Sequence, residues 1–91
     1  MEIKHFDIQV SGRVQGVWFR VTTKKVADEM EVKGFVKNKN DGTVYIEAES
    51  DTKTLMKFTR WCHQGPTGAQ VEQVSVNEAP VKNYTDFRIL Q

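Results

Sequence analysis

The sequence predicts an α+β fold of order βαββαβ with a short fifth strand, and two kinds of observation carry that prediction. One is a hydrophobic period that switches from two to about 3.6 and back along the chain. The other is punctuation, with glycines, asparagines and a Gly-Pro pair standing where the period changes. Phe6, Ile8 and Val10 alternate with His5, Asp7, Gln9 and Ser11, which marks a half-buried first strand with its polar residues toward water. Phe19, Thr23, Val26, Ala27 and Met30 then recur at three and four, the spacing of an amphipathic helix facing a core. "VKGFVKNKNDGTVYIEAES" reads as a hairpin. Its first strand runs from Gly34 to Asn38, Lys39 to Gly42 form an Asn-Asp-Gly turn, and Val44, Ile46 and Ala48 then alternate with Tyr45, Glu47 and Glu49. Asp51 is a candidate N-cap for "DTKTLMKFTRWCHQG", in which Leu55, Phe58, Thr59 and Cys62 share a face until Gly65 and Pro66 end the helix. "AQVEQVSVN" is a fourth strand in which Val71 falls out of phase with Val74 and Val76, predicting a bulge, and "TDFRIL" is a short fifth. This order is the split βαβ pattern of ferredoxin-like folds, a sandwich with two helices on one face of a mainly antiparallel sheet. In it the first two strands are parallel and the third lies antiparallel between them.

Ninety-one residues suit one domain, spanning 1–91. No apolar run is long enough to cross a bilayer, and Met1 to Val10 is a charged alternating strand rather than a secretory leader. The expected compartment is therefore the cytoplasm, with no membrane partner. Cys62 is the one cysteine, so an internal disulfide is excluded, and with only His5 and His63 beside it no zinc site is expected. Cys62 and His63 are adjacent on a helix, where their side chains diverge instead of forming a nucleophile and base. Thirteen Lys and Arg balance twelve Asp and Glu to a net charge of +1, far from the basic excess of a module that grips nucleic-acid backbone. Any affinity for anions has to be local.

The stretch "SGRVQGVWFR", Ser11 to Arg20, is where it would reside. This strand-to-helix connection places glycines beside a helix N-terminus, whose unpaired N–H groups and dipole favour a bound anion. Arg20, in the first turn, adds a planar charged fork that fits a phosphate bidentately. The competing reading is a tight turn with glycines for backbone relief and a solvated arginine. No GxxxxGK[ST] sequence is present, so this is not a Walker loop. The first two strands, being parallel, end at one edge of the sheet, which brings Asn38 to within roughly 10 Å of the glycine loop. A carboxamide there can both accept and donate, which suits it to orient a water molecule; its alternative role is that of a turn residue.

Two segments resemble the acylphosphatase family. "VSGRVQGVWFR" matches that family's GxVQGVxFR signature, and "GFVKNKNDGTV" is similar to its glycine–aromatic–aliphatic–basic–asparagine hairpin. The resemblance runs from Ile3 to Ile89 and includes "GPTGAQVEQV". Ser50 departs from it, standing where the family has glycine, and is expected in a loop beyond the third strand. The resemblance implies a hydrolase that splits the carboxyl–phosphate anhydride of a small acyl phosphate into a carboxylate and inorganic phosphate, with no cofactor and no metal. It implies a phosphate cradle at Arg13, Val14, Gln15, Gly16 and Val17, a phosphate-binding arginine at Arg20 and a water-orienting asparagine at Asn38. Inorganic phosphate or sulfate is the expected competing ligand, and a monomer the expected state. Two rivals belong to other classes. A non-catalytic phosphate-binding module would keep the cradle without turnover. An RNA-binding domain shares the topology, but its third strand here offers Tyr45 among Glu47 and Glu49, whose charge opposes RNA, so no nucleic-acid partner is expected.

Overall fold

A computed structural model describes residues 2–91. The elements follow the expected order: β1 (Ile3–Arg13), α1 (Phe19–Met30), β2 (Lys33–Asn38), β3 (Val44–Asp51), α2 (Thr52–Gln64), β4 (Gln70–Ala79) and β5 (Phe87–Ile89). The sheet order is β4-β1-β3-β2-β5. β3 pairs antiparallel with both β1 and β2, so β1 and β2 run parallel one strand apart, and β5 adds to β2 in parallel. This is the ferredoxin-like α+β sandwich. Among the described residues no helix is long and apolar enough to cross a membrane.

The inner face of the sheet is written in the period of two. Ile8 faces Ile46 across β1 and β3, and Val36 faces Ile46 across β2 and β3. Against these pack Phe19 and Ala27 of α1 and Leu55, Phe58 and Cys62 of α2, all buried. Burial of each large apolar side chain contributes about 1.5–3 kcal/mol. α2 begins as expected, with the Asp51 carboxylate accepting from the Thr54 N–H at 2.9 Å. It ends where Gly65, at φ 67°, returns its N–H to the Trp61 carbonyl. The bulge is also present: the register with β1 steps from Ser11↔Gln73 to Gly12↔Val71, skipping Glu72, so that Val71 and Val74 both reach the core.

Three expectations need correction. β1 takes in Gly12 and Arg13, which the sequence pattern puts in the connection to α1, because the bulge in β4 lets pairing continue to Arg13↔Gln70. Ser50 lies inside β3, half-buried and paired with Lys4, not in a loop. The outer face of the sheet is not a plain solvated face. β4 and β5 lie at opposite edges, and the segment 80–86 that joins them crosses over His5, Glu47 and Glu49, which are 0%, 7% and 3% exposed. The Lys82 and Tyr84 N–H groups donate to the two oxygens of Glu49 at 2.6 and 3.0 Å. The Tyr45 hydroxyl and the Lys82 ammonium bind Glu47 at 2.8 and 3.0 Å, and the Tyr84 hydroxyl joins them. His5 binds Glu49 through Nδ1 and Asp7 through Nε2, both at 2.7 Å. The aromatics an RNA-binding sheet would expose are engaged here, Phe35 packing on Tyr45 and Tyr84 at 5.9 and 6.0 Å between ring centroids.

Candidate active site

The connection from β1 to α1 is a strained loop. Gly12, at φ 118°, sits where a Cβ would lie 2.2 Å from the Gln70 carbonyl oxygen, so a side chain there would push β4 away. Gly16 and Trp18 both have positive φ, 74° and 64°, with Val17 between them at negative φ. Alternation of this kind turns successive N–H groups toward one side, forming a concave nest for an anion. Glycine adopts that conformation freely, whereas at Trp18 it costs about 1–2 kcal/mol. Trp18 is also the N-cap of α1 and supplies no side-chain cap, and the first turn holds no acidic residue. The first N–H groups of α1 and the positive end of its dipole thus add to the nest.

Two anchors hold the loop. Val14 is 1% exposed and roots it in the core beside Phe19. The Gln15 Nε2 donates to the carbonyls of Lys39 and Thr43 at 2.8 and 2.9 Å, tying the loop to the turn that follows Asn38.

Between loop, helix and hairpin lies a groove of about 340 Å³. Val14, Gly16 and Trp18 line it from the loop, Phe19, Arg20 and Val21 from α1, and Asn38 from the end of β2. Arg20 Nη1 donates to the Leu90 carbonyl at 3.0 Å, because β5 carries the end of the chain along β2 to the same edge. Among the described residues no carboxylate pairs with Arg20, and the rest of its fork is free for a ligand. Asn38 Oδ1 is buried and accepts no hydrogen bond from the described residues. A buried acceptor in that condition is costly unless a ligand or water serves it. Among the described residues no imidazole or carboxylate lines the groove. Asp41, in the adjoining turn, accepts from the Thr43 hydroxyl at 2.6 Å and its N–H at 3.0 Å, which hold its carboxyl below the ordinary range. The arrangement can therefore surround a tetrahedral anion with N–H donors and a guanidinium, and it offers one uncharged group beside it.

The family model described as Acylphosphatase matches residues 6–89. The chain belongs to the acylphosphatase family. The acylphosphatase of Ligilactobacillus salivarius is 46% identical over 89 residues, which is 96% of this chain and 98% of that one. In structure, the acylphosphatase from Coxiella burnetii superimposes with a TM-score of 0.94 at 38% identity, covering 97% of this chain and 93% of the other. The acylphosphatase from Bacillus subtilis does so with a TM-score of 0.94 at 34% identity, covering 99% and 100%.

In this acylphosphatase four of the seven residues expected at the site line one groove: Val14, Gly16, Arg20 and Asn38. Arg13 is the exposed last residue of β1, and Val17 packs against the core. The Gln15 side chain is spent on the hairpin carbonyls. Sequence reasoning missed Trp18, Val21 and the Leu90 carbonyl. Trp18 carried a faint signal, since the helical period starts one residue later at Phe19 and leaves it off the core face.

Cys62 and His63 diverge as expected. Burial pushes the Cys62 thiol up to about 12, and His63 is exposed with Nδ1 3.1 Å from the Thr59 carbonyl. One set of metal-ligand types does converge among the described residues: His5, Asp7 and Glu47, with atoms within 4.8 Å of one another. Glu47 pairs with Phe35, three residues before Asn38 on β2, so the set lies roughly 10 Å back along the strands from the groove, on the sheet face away from the helices. Its atoms are already bound to one another and to the crossing segment.

Proposed function

We propose that this acylphosphatase hydrolyses the carboxyl–phosphate anhydride of small acyl phosphates in the groove between Gly16, Arg20 and Asn38. One observation carries the reading: an arginine fork, a nest of backbone donors and a carboxamide with a free buried acceptor converge there with no acid or base among them. The phosphoryl oxygens sit in the nest, and Arg20 spans two of them, its orientation steadied by the Leu90 carbonyl. Phosphoryl transfer depends mainly on such positioning and on charge stabilisation across the equatorial oxygens. Asn38 Oδ1 accepts a hydrogen bond from a water molecule and aims its oxygen at phosphorus. As the new P–O bond forms, the bond from phosphorus to the acyl oxygen breaks, and its electron pair leaves on the carboxylate. The water's proton passes to a phosphoryl oxygen. A carboxylate is a good leaving group, so the lack of a general acid in the groove is no obstacle. Inorganic phosphate and sulfate compete for the same nest.

The test is phosphate release from acetyl phosphate and from a phosphomonoester such as p-nitrophenyl phosphate, both in excess chelator. The anhydride should be hydrolysed and the monoester left intact. In Arg20→Lys the charge stays but the fork is lost, and a charge-assisted hydrogen bond contributes ~1.5–3 kcal/mol. Turnover should fall and phosphate inhibition weaken roughly tenfold or more. Equal hydrolysis of the monoester, loss of activity to the chelator, or unchanged phosphate inhibition in Arg20→Lys would contradict the proposal.

A further inference from the structure

The residue at position 18 is the least economical choice for the conformation it adopts. Glycine or asparagine enters the left-handed region readily, and an indole does not. Trp18 nonetheless holds φ 64° there with 78% of its surface exposed. The same backbone nest would form around Gly or Asn, so the nest does not account for the ring. Further observations concern the wall in which the ring stands. The ring lines the groove that contains Arg20 and Asn38. Val21, one turn along the same wall, is also exposed, at 54%. The groove, at about 340 Å³, is far larger than a phosphoryl group and falls in the range of small-molecule sites. Among the described residues Arg20 and Asn38 are its polar side chains, and the rest of its wall is Gly16 with the apolar side chains of Val14, Trp18, Phe19 and Val21.

Resting on the acyl phosphate reading, we infer that Trp18 and Val21 form a subsite for the acyl group, which selects acyl phosphates with an aromatic or extended apolar acyl chain. With the phosphoryl group in the nest, the scissile bond points out along the groove, and the acyl carbon skeleton lies across the indole face and the Val21 methyls. Burial of that skeleton against an exposed ring removes apolar surface of both partners from water. Binding energy from a non-reacting part of the substrate can then raise kcat/KM by holding the anhydride in line. An acetyl group is too short to use this wall. Trp18 is in this sense a specificity-determining residue, one whose side chain touches substrate away from the reacting atoms.

The experiment compares kcat/KM for benzoyl phosphate and acetyl phosphate in the wild type, Trp18→Phe and Trp18→Asn. Asparagine tolerates the left-handed conformation and so keeps the loop while removing the ring; phenylalanine restores an apolar face. The wild type should prefer benzoyl phosphate by roughly tenfold or more, the scale of discrimination that an apolar pocket supplies. Trp18→Asn should lose most of that preference through a higher KM for benzoyl phosphate, and Trp18→Phe should recover most of it. As a second readout, phenacyl phosphonate, in which a methylene replaces the anhydride oxygen, should shift the fluorescence of the exposed Trp18 to shorter wavelength. No shift should occur in Trp18→Asn. A benzoyl-to-acetyl ratio equal in the wild type and Trp18→Asn would overturn the subsite while leaving the hydrolase reading intact. Failure of the wild type to hydrolyse either substrate would overturn both.

Discussion

Gln15 is the side chain on which the geometry of the groove turns, because it joins the two halves of the site. Its carboxamide donates to two carbonyls, Lys39 at 2.8 Å and Thr43 at 2.9 Å, on the turn directly beyond Asn38. The informative perturbation is Gln15→Glu, which keeps the shape but has no hydrogen to donate when ionised, so two attractions become two repulsions. Each hydrogen bond contributes about 1 kcal/mol net, and the Thr43 bond is the less exposed of the two. A loss of about 2 kcal/mol follows, which in a domain of this size lowers Tm by roughly 8–16 °C. The functional effect should exceed the thermal one. Once untied, the loop holds the phosphoryl group without fixed register to the water on Asn38, and a misplacement near 1 Å can cost ~10²-fold in rate. Thermal melting and steady-state kinetics well below Tm measure the two effects separately, with Gln15→Ala showing the loss of the tie without added charge. Wild-type Tm and kcat in Gln15→Glu would refute the reasoning, since the bonds would then contribute neither to stability nor to alignment.

Two further outcomes follow from the same structure. His5 has a carboxylate on each ring nitrogen: burial works against the imidazolium charge, but the bonds to Glu49 and Asp7 outweigh it and raise its pKa above the ordinary 6.5. Glu47 and Glu49 are likewise disfavoured as anions by burial, yet the donors from Tyr84, Tyr45, Lys82 and His5 bring them below 4.5. The His5 contribution is fully present below 6.5 and lost as pH rises through the raised value, while the glutamate contributions are present above 4.5 and lost as pH falls. Urea midpoints should therefore be highest between those limits, and His5→Gln should remove the alkaline decline; a decline that persists in His5→Gln would place its origin elsewhere. Phosphate, binding the native nest only, should raise Tm and stabilise by about 2.7 kcal/mol at ~100 times its dissociation constant, and a Tm indifferent to phosphate would argue that the loop binds no anion.

Local pattern made most of the fold legible. The period of two in β1 and β3, the Asp51 cap, the Gly65 stop and the phase slip at Val71 are each set by residues within a few positions of one another. The split βαβ order then brings the end of β2 to the loop after β1 without further information, which is why Arg20 and Asn38 could be paired from sequence. The outer face was not legible. "NEAPVKNYTD" has no period, and its path across the sheet is held by N–H groups of Lys82 and Tyr84 on Glu49, a residue more than thirty positions earlier. Alternation assigns Glu47 and Glu49 correctly to the face away from the helices but cannot say that a later segment covers it. The Arg20–Leu90 contact and the left-handed Trp18 were hidden for the same reason: both arise from tertiary placement, one through the parallel pairing of β5 on β2 and the other through the nest.

The most direct test of the division of labour in the groove is Asn38→Ala, assayed for kcat and for inhibition by phosphate once circular dichroism shows it folded. A group that acts on the attacking water and not on the phosphoryl oxygens should affect turnover alone. kcat should fall by ~10²–10³-fold, the cost of removing one well-placed donor or positioning group in other enzymes, with the inhibition constant for phosphate close to that of the wild type. A folded Asn38→Ala that keeps most of its kcat, or one whose affinity for phosphate falls in step with its turnover, would contradict the assignment.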